Sequence, residues 1–298
     1  MTSKTSQDKT DPLDGDRLPR SATSPANSMP AGESPTDWIG FLGGADLEMA
    51  TIAELLARQG IETFDRELGW GAKASAYADE IAATIRRGKI PVLIELEPDL
   101  AAELIDRCLL IDHHGERAGR DAPTSLEQIH SLLRLPESEW SRWDALVAAN
   151  DRGYITAMRA LVPPASDEEI RQVRQQDLAA QGVTAEQLDQ ARQAATLAEL
   201  LCDGRLTLVQ TAVRGGLVAE MLEPFFGGPG FINLLVVGPA TVAFFGQGAL
   251  VQALVDASPP PPDAWFGGAL PDSGFWGANA SRLNFDPAGL LAAHLDTD

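Results

Sequence analysis

Cys108-Leu109-Leu110-Ile111-Asp112-His113-His114-Gly115 is an apolar run that delivers a carboxylate and two adjacent imidazoles at its end. Two of the four histidines in the chain stand in that one dipeptide. A run this apolar reads as a buried strand, and groups at its C-terminal tip fall where open α/β sheets build their sites, in the crevice outside the strand ends. Such a tip needs partner groups from elsewhere in the chain.

Upstream, Asp37 to Leu42 is a short apolar run that breaks at Gly43-Gly44-Ala45-Asp46-Leu47-Glu48. Met49 to Gln59 then carries Met49, Ile52, Ala53, Leu55 and Leu56 at helical spacing, with Gly60 just past the end as a C-cap. Ile61 to Phe64 suits a second strand, Ala74 to Arg87 a second helix, Ile90 to Leu96 another strand, and Asp99 to Asp106 a short helix before the strand that ends at Asp112. Strands alternating with helices in this way predict an α/β fold, with a parallel sheet covered on both faces in three layers.

Downstream, Ser125 to Leu133 reads as a helix capped by Thr124 or Ser125, and Trp140 to Ala149 as another that ends at Asn150-Asp151-Arg152-Gly153. Residues 166 to about 201 are polar and rich in Gln and Ala, and are expected to form a helical connector broken at Gly182. Leu206 to Val213, Phe231 to Gly238 and Thr241 to Phe245 are strand-like, and Ala249 to Ala257 suits a short helix before the run Pro259 to Pro262. The expected organisation is a disordered tail over 1–36, a first domain over 37–165, the connector over 166–201 and a smaller α/β domain over 202–298.

Composition narrows the partners. A formal net charge of -20 argues against a groove for long duplex nucleic acid, because phosphate binding draws its affinity from clustered Lys and Arg. A small anionic ligand fits if a metal supplies the positive charge. No stretch approaches the roughly 18 apolar residues of a membrane span, and no apolar leader precedes the first strand. Cys108 and Cys202 stand far apart, which suits free thiols in a reducing cytoplasm. A homodimer is compatible with this reading.

Ile111-Asp112-His113-His114-Gly115 resembles the signature of the DHH phosphoesterase superfamily, which includes RecJ-like exonucleases, phosphodiesterases of short oligonucleotides and cyclic dinucleotides, and family II inorganic pyrophosphatases. In that family an Asp-X-Asp pair follows the first strand, an Asp ends a middle strand, the triplet ends the next, and a last Asp lies downstream. Here Asp46-Leu47-Glu48, Glu95, Asp112-His113-His114 and Asp151 stand in those four places in order. The resemblance implies Asp46, Glu48, Glu95, Asp112, His113 and Asp151 as ligands of Mn²⁺ or a similar ion such as Mg²⁺. Asp112, His113 and His114 would carry the catalysis, with His114 orienting the site or stabilising charge on phosphoryl oxygens. Hard divalent ions need several oxygen ligands, which carboxylates supply and can share between two ions.

The resemblance is good in order and spacing over the front half and only architectural behind it. Glu48 and Glu95 replace aspartates, and each extra methylene extends its carboxylate by about 1 Å. Phe41-Leu42-Gly43-Gly44 fills the place of a His found in many members, although members of the RecJ type lack it too. In the DHHA1-like second domain of oligonucleotide-cleaving members, an Arg-Ser strand end and a Gly-Gly-Gly-His loop grip the substrate. The comparable segments here are Thr241 to Gly246 and Trp265 to Gly277, where glycines stand but the Arg and His do not. Gly267 and Gly268 are the candidate substrate-binding residues, since they let backbone N–H groups approach a ligand.

Each group also has a plainer use. Asp46 suits an N-cap with Glu48 favourable in the first helical turn, Glu95 a solvated strand end, and Asp151 a turn or a pair with Arg152. The Trp265-Phe266 and Phe275-Trp276 pairs suit core packing or base stacking. His130 and His294 are assigned no catalytic role. The sequence thus supports a metal-dependent phosphoesterase for a small phosphodiester or pyrophosphate, against a catalytically degenerate binding or interaction module on the same scaffold.

Overall fold

The computed structural model describes residues 37–69, 71–258 and 264–296. The expected tail over 1–36 and the run Pro259 to Pro262 lie outside the described residues. The first half builds a four-stranded sheet from β1 (Trp38–Leu42), β2 (Glu62–Phe64), β3 (Ile90–Ile94) and β4 (Leu109–Ile111), in the order β2-β1-β3-β4 with every pair parallel.

Both faces of this sheet are covered, which is why its strands read as unbroken apolar runs. Side chains alternate across the pleat. Trp38, Leu42, Val92, Ile94, Leu109 and Ile111 face one cluster, shared with helices α1 (Leu47–Arg58), α4 (Ser125–Leu132), α5 (Arg142–Ala160) and α6 (Asp167–Ala180). Ile39, Phe41, Leu93 and Leu110 face the other, shared with Tyr77 and with helices α2 (Ala78–Arg86) and α3 (Ala102–Ile105). Each fully buried Leu or Ile contributes about 1.5–3 kcal/mol relative to exposure. Gly40 admits α1 closely: a Cβ there would stand 3.1 Å from Leu56 Cδ1.

Register aligns the strand ends. Leu42 is the partner of Ile94, and Ile94 the partner of Ile111. The segments that leave β1, β3 and β4 therefore start side by side, and all three carry acidic residues.

Helix α4 begins as the sequence predicts, with Thr124 and Glu127 forming a reciprocal capping box. The helix expected to end at Ala149 instead runs to Ala160. It is interrupted only by Gly153 (φ -165°, ψ 28°) and Tyr154 (φ 57°, ψ -143°), so the Asn-Asp-Arg-Gly turn reading gives way to a kinked helix. Polar turn residues signal a break, but here the break is a two-residue kink that lets Ile155 and Met158 rejoin the same core.

Helix α6 joins the first core through Ile170 and Val173, and α7 (Ala185–Ala195) follows. Residues 199–201, expected to close a helical stretch, form β5. The second sheet has the order β5-β6-β7-β8-β10-β9, from β5 (Glu199–Leu201), β6 (Leu206–Gln210), β7 (Leu234–Val237), β8 (Thr241–Gln247), β9 (Ala264–Gly267) and β10 (Ser273–Asn279). Only β6 and β7 run parallel within it. Helix α8 (Gly215–Leu222) covers one face, while α9 (Gly248–Ala257) and α10 (Pro287–Leu295) cover the other. The stretch read as a loop over 265–277 is the β9–β10 hairpin, in which Trp276 is core. Glycines at 267, 268, 274 and 277 conceal that strand pattern, because they remove side chains that would alternate. Cys108 and Cys202 are both free thiols, and none of the described helices is long and apolar enough to cross a membrane.

Candidate metal centre

Glu95 follows β3 directly, with a left-handed backbone (φ 53°) uncommon for a residue with a Cβ. Its N–H still donates to Ile111 O at 2.8 Å, which locks it to the end of β4. Gly43 permits the approach, since a Cβ there would lie 2.4 Å from Glu95 O. The turn that follows β1 supplies Asp46, whose Oδ1 accepts the Met49 N–H at 2.8 Å as the N-cap of α1. Glu48, only 2% exposed, uses Oε1 to accept the Leu126 N–H at 2.9 Å, placing a carboxyl oxygen on a free N–H at the N-terminus of α4. Both plainer uses are thus realised, and each leaves an oxygen over.

His113, 7% exposed, projects into the middle of these groups. Its Nε2 lies 2.5 Å from Asp151 Oδ2, 3.3 Å from Glu95 Oε1 and 3.7 Å from Glu48 Oε2. All four of those atoms are buried, and none makes an aligned hydrogen bond. One ligand atom each from Glu95, His113, His114 and Asp151 lies within 4.8 Å of the others. His114 Nδ1 sits 3.8 Å from Glu95 Oε2 and 3.3 Å from Asp112 Oδ1.

Asp112 stands at the rim. Its Oδ1 accepts the His114 N–H at 2.9 Å, and its Oδ2 accepts from Arg117 Nη1 at 3.2 Å. The structure therefore brings together Glu48, Glu95, His113, His114 and Asp151, with Asp46 facing the charges of Glu95 and Asp151 and Asp112 bracing His114 from outside.

The electrostatics follow from crowding carboxylates away from water. Burial, then the charges of Asp151 and Glu95, pushes the Glu48 carboxyl well above its ordinary range. Burial, then Glu95 and Asp151, does the same to Asp46. Burial also acts upward on Glu95, but the imidazoles of His114 and His113 outweigh it and bring the group down to about 2. Burial acts downward on His113, and Asp151 and Glu95 reverse it, lifting the imidazole to about 12. A cluster this acidic calls for a cation, and without one the His113 proton takes that part. The donor set, carboxylate oxygens with two imidazoles, suits a divalent ion of the Mg²⁺, Mn²⁺ or Zn²⁺ kind. The unbonded buried atoms are what such an ion would satisfy.

The second sheet closes over this centre through the β9–β10 hairpin. A Cβ on Gly267 would lie 3.0 Å from His114 Cδ2, and Phe275 meets the His114 ring edge-on at 6.2 Å. Arg120 N donates to Leu270 O at 3.0 Å, and Arg120 Nη1 pairs with Asp272 Oδ2 at 2.5 Å. Gly268, at φ 100°, turns against Gly274. His130 meets Trp140 edge-on at 5.1 Å and His294 contacts Leu290 O, both outside the cluster.

No family model matches the sequence, and no curated protein matches it. Solved structures do. An exopolyphosphatase-related protein from Bacteroides fragilis superposes with a TM-score of 0.52 at 9% identity, over 88% of this chain and 92% of that one. The two chains share a fold. The exonuclease RecJ bound to manganese matches with a TM-score of 0.42 at 12% identity, over 88% of this chain and 90% of that one. RecJ from Thermus thermophilus in complex with Mn²⁺ matches with a TM-score of 0.47 at 11% identity, over 88% of this chain and 52% of that one, so this chain spans about half its length.

Around the centre stand residues that carry no signal in the sequence. Arg174, Asp177 and Glu220 are buried charges on α6 and α8, and Tyr154 occupies the kink of α5. Their partners lie up to 130 positions away, as in the bond from Leu47 N to Asp177, so no local periodicity marks them.

Proposed function

We propose that this protein is a metal-dependent phosphoesterase acting on a small phosphodiester or pyrophosphate held between the β4 end and the β9–β10 hairpin. The observation that supports it best is the convergence of four buried polar atoms from Glu48, Glu95, His113 and Asp151, none in an aligned hydrogen bond, at the aligned ends of a parallel sheet. Three buried carboxylates share one imidazole there without an aligned hydrogen bond, so their desolvation is only partly offset, and a cation would complete the set. Glu95, His113 and Asp151 would hold the ion, with Glu48 and Asp46 within reach, and Mn²⁺ is the proposed species. When bound, the ion supplies Lewis-acid stabilisation of charge on phosphoryl oxygens. His114, braced by Asp112, stands at the hairpin side of the cluster to donate a hydrogen bond to a phosphoryl oxygen, and Gly267 and Gly268 keep side chains out of that space. The substrate is small, because the hairpin already abuts His114 and the net charge of -20 repels a long polyanion. The protein acts as a soluble, cytoplasmic enzyme in this reading.

A second reading has its own observation. Both carboxylate oxygens of Asp112 are engaged, and Ala269-Leu270-Pro271 occupies the loop where substrate-gripping members carry His. On that reading the scaffold binds a metal and a ligand without turnover. The test is calorimetric titration of the full chain with Mn²⁺, followed by a hydrolysis panel of bis-p-nitrophenyl phosphate, pyrophosphate, dinucleotides and cyclic dinucleotides. The enzyme reading expects Mn²⁺ binding and turnover of at least one substrate. Asp151→Ala should weaken Mn²⁺ more than about 100-fold, since even outer-shell partners of a metal site cost 10–100-fold. Binding without turnover selects the module, and no Mn²⁺ binding overturns both.

A further inference from the structure

Behind the centre lies a buried polar network that no ligand role explains. Arg174 is 9% exposed on α6. Its Nη1 donates to Asp177 Oδ2 at 2.8 Å and to Asn150 Oδ1 at 3.0 Å, while Nη2 and Nε donate to Glu220 Oε2 at 2.6 and 3.2 Å. The Tyr154 hydroxyl donates to the same Glu220 oxygen at 3.0 Å, and its ring lies 4.6 Å from the guanidinium. The other oxygen of Asp177 accepts the Leu47 N–H at 3.1 Å.

The addresses matter more than the number of bonds. Asn150 precedes Asp151, and Leu47 separates Asp46 from Glu48. One guanidinium thus reaches both carboxylate-bearing segments: the kink of α5 directly, and the first turn of α1 through Asp177. The kink needs such a hold, because Tyr154 sits at φ 57°, ψ -143°, a region that residues with a Cβ occupy only when their surroundings impose it. The far end of the network is Glu220 on α8, whose Val218 and Leu222 pack with Leu234 and Val236 of the second sheet.

We infer that Arg174 and Glu220 are positioning residues for the metal centre, fixing Asp151 and the Asp46–Glu48 turn at the spacing a divalent ion requires and tying that spacing to α8. This rests on the proposed reading of the centre as a divalent-ion site. A charged guanidinium held between two carboxylates has one preferred place. Neutralising Glu220 draws it toward Asp177 and off Asn150, which frees the segment that carries Asp151.

The experiment is calorimetry of Mn²⁺ binding to the full chain, with the electron paramagnetic resonance of bound Mn²⁺ recorded for Glu220→Gln, Arg174→Lys and Tyr154→Phe. Glu220→Gln and Arg174→Lys should weaken Mn²⁺ by about tenfold or more, the range set by outer-shell partners, and change the resonance. Tyr154→Phe keeps the ring over the guanidinium and should cost a few-fold, so the inference stays testable if a charge variant fails to fold. Arg142→Gln removes an ion pair with Glu169 on the same helix pair, α5 and α6, away from the centre. It should lower Tm and leave Mn²⁺ affinity and the resonance unchanged. Mn²⁺ binding and resonance like wild type in Glu220→Gln, Arg174→Lys and Tyr154→Phe would overturn this inference alone, as would affinities that merely follow Tm across all four variants. Wild-type protein that binds no Mn²⁺ would overturn the divalent-ion reading, and this inference with it.

Discussion

The four-stranded sheet ends its strands in carboxylates and imidazoles, whereas the six-stranded sheet meets them with glycine, aromatic and aliphatic side chains. The first is parallel throughout, so β1, β3 and β4 point their C-terminal ends the same way and Leu42, Ile94 and Ile111 stand level. The second is mostly antiparallel and offers a hairpin, a form suited to closing over something rather than concentrating charge. On the proposed function, one region carries the chemistry and the other bounds it. The division holds only if damage to one region can be separated from damage to the other.

The largest expected effect comes from breaking the second region alone. Phe244 is wholly buried, in the cluster covered by α9 and α10 rather than the one α8 covers. Phe244→Ala should cost about 3–5 kcal/mol by urea denaturation, through lost transfer and a cavity. Mn²⁺ affinity measured on the folded protein should remain within about twofold of wild type. If affinity falls with stability, the two sheets are one energetic unit and the division fails.

Much of the first region was legible because its signals are local. Each carboxylate-bearing segment at the strand ends follows an apolar run by a few residues, so strand, helix cap and acidic group appear together in the sequence, as in Phe41 to Glu48 and Leu109 to His114. Asp151 was legible by order but not by structure, since a kinked helix and a turn share the same Asn-Asp-Arg-Gly signature. The second region hid its hairpin behind glycines, and α8 went unread because Gly215-Gly216 at its start looks like a loop. Arg174 and Glu220, 46 positions apart, carried no signal at all. A buried ion pair is specified by three-dimensional neighbours, and neither side chain betrays in sequence that it will be buried.

An intermediate effect should come from pH and should belong to the first region only. Asp46 and Glu48 have carboxyls raised by burial and by neighbouring carboxylates, so their folded forms favour the proton. The stability they contribute is present below their unfolded values of 3.8 and 4.5 and is lost as pH rises. His113, lifted to about 12 by Asp151 and Glu95 against burial, contributes stability that is full below 6.5 and declines as pH climbs toward its folded value. Glu95, brought to about 2 by the imidazoles against burial, has the opposite sign, but its loss occurs below 4.5. In EDTA, Tm should therefore fall between about pH 6 and pH 9 by at least the 2–4 °C that ~1 kcal/mol represents at this size. The rise in Tm caused by Mn²⁺ should grow over the same range, because a metal displaces those protons. A flat Tm in EDTA, or a pH-independent Mn²⁺ shift, would break the assignment of these groups to one cluster.

The smallest effect tests where the two regions are joined. Arg120 and Asp272 pair across from the first region to the turn of the β9–β10 hairpin, and their side chains are 59% and 57% exposed. An ion pair in that setting contributes less than ~1 kcal/mol and is screened by salt. The backbone bond from Arg120 N to Leu270 O would survive its loss. Asp272→Asn should therefore lower Tm by no more than about 2–4 °C at low salt, converge on wild type at high salt, and leave Mn²⁺ affinity unchanged. The buried Glu220 pair should behave otherwise, holding its influence on Mn²⁺ at every salt concentration because water and ions do not reach it. If the exposed pair moves Mn²⁺ affinity and the buried one does not, the hairpin rather than α8 is what ties the second sheet to the centre.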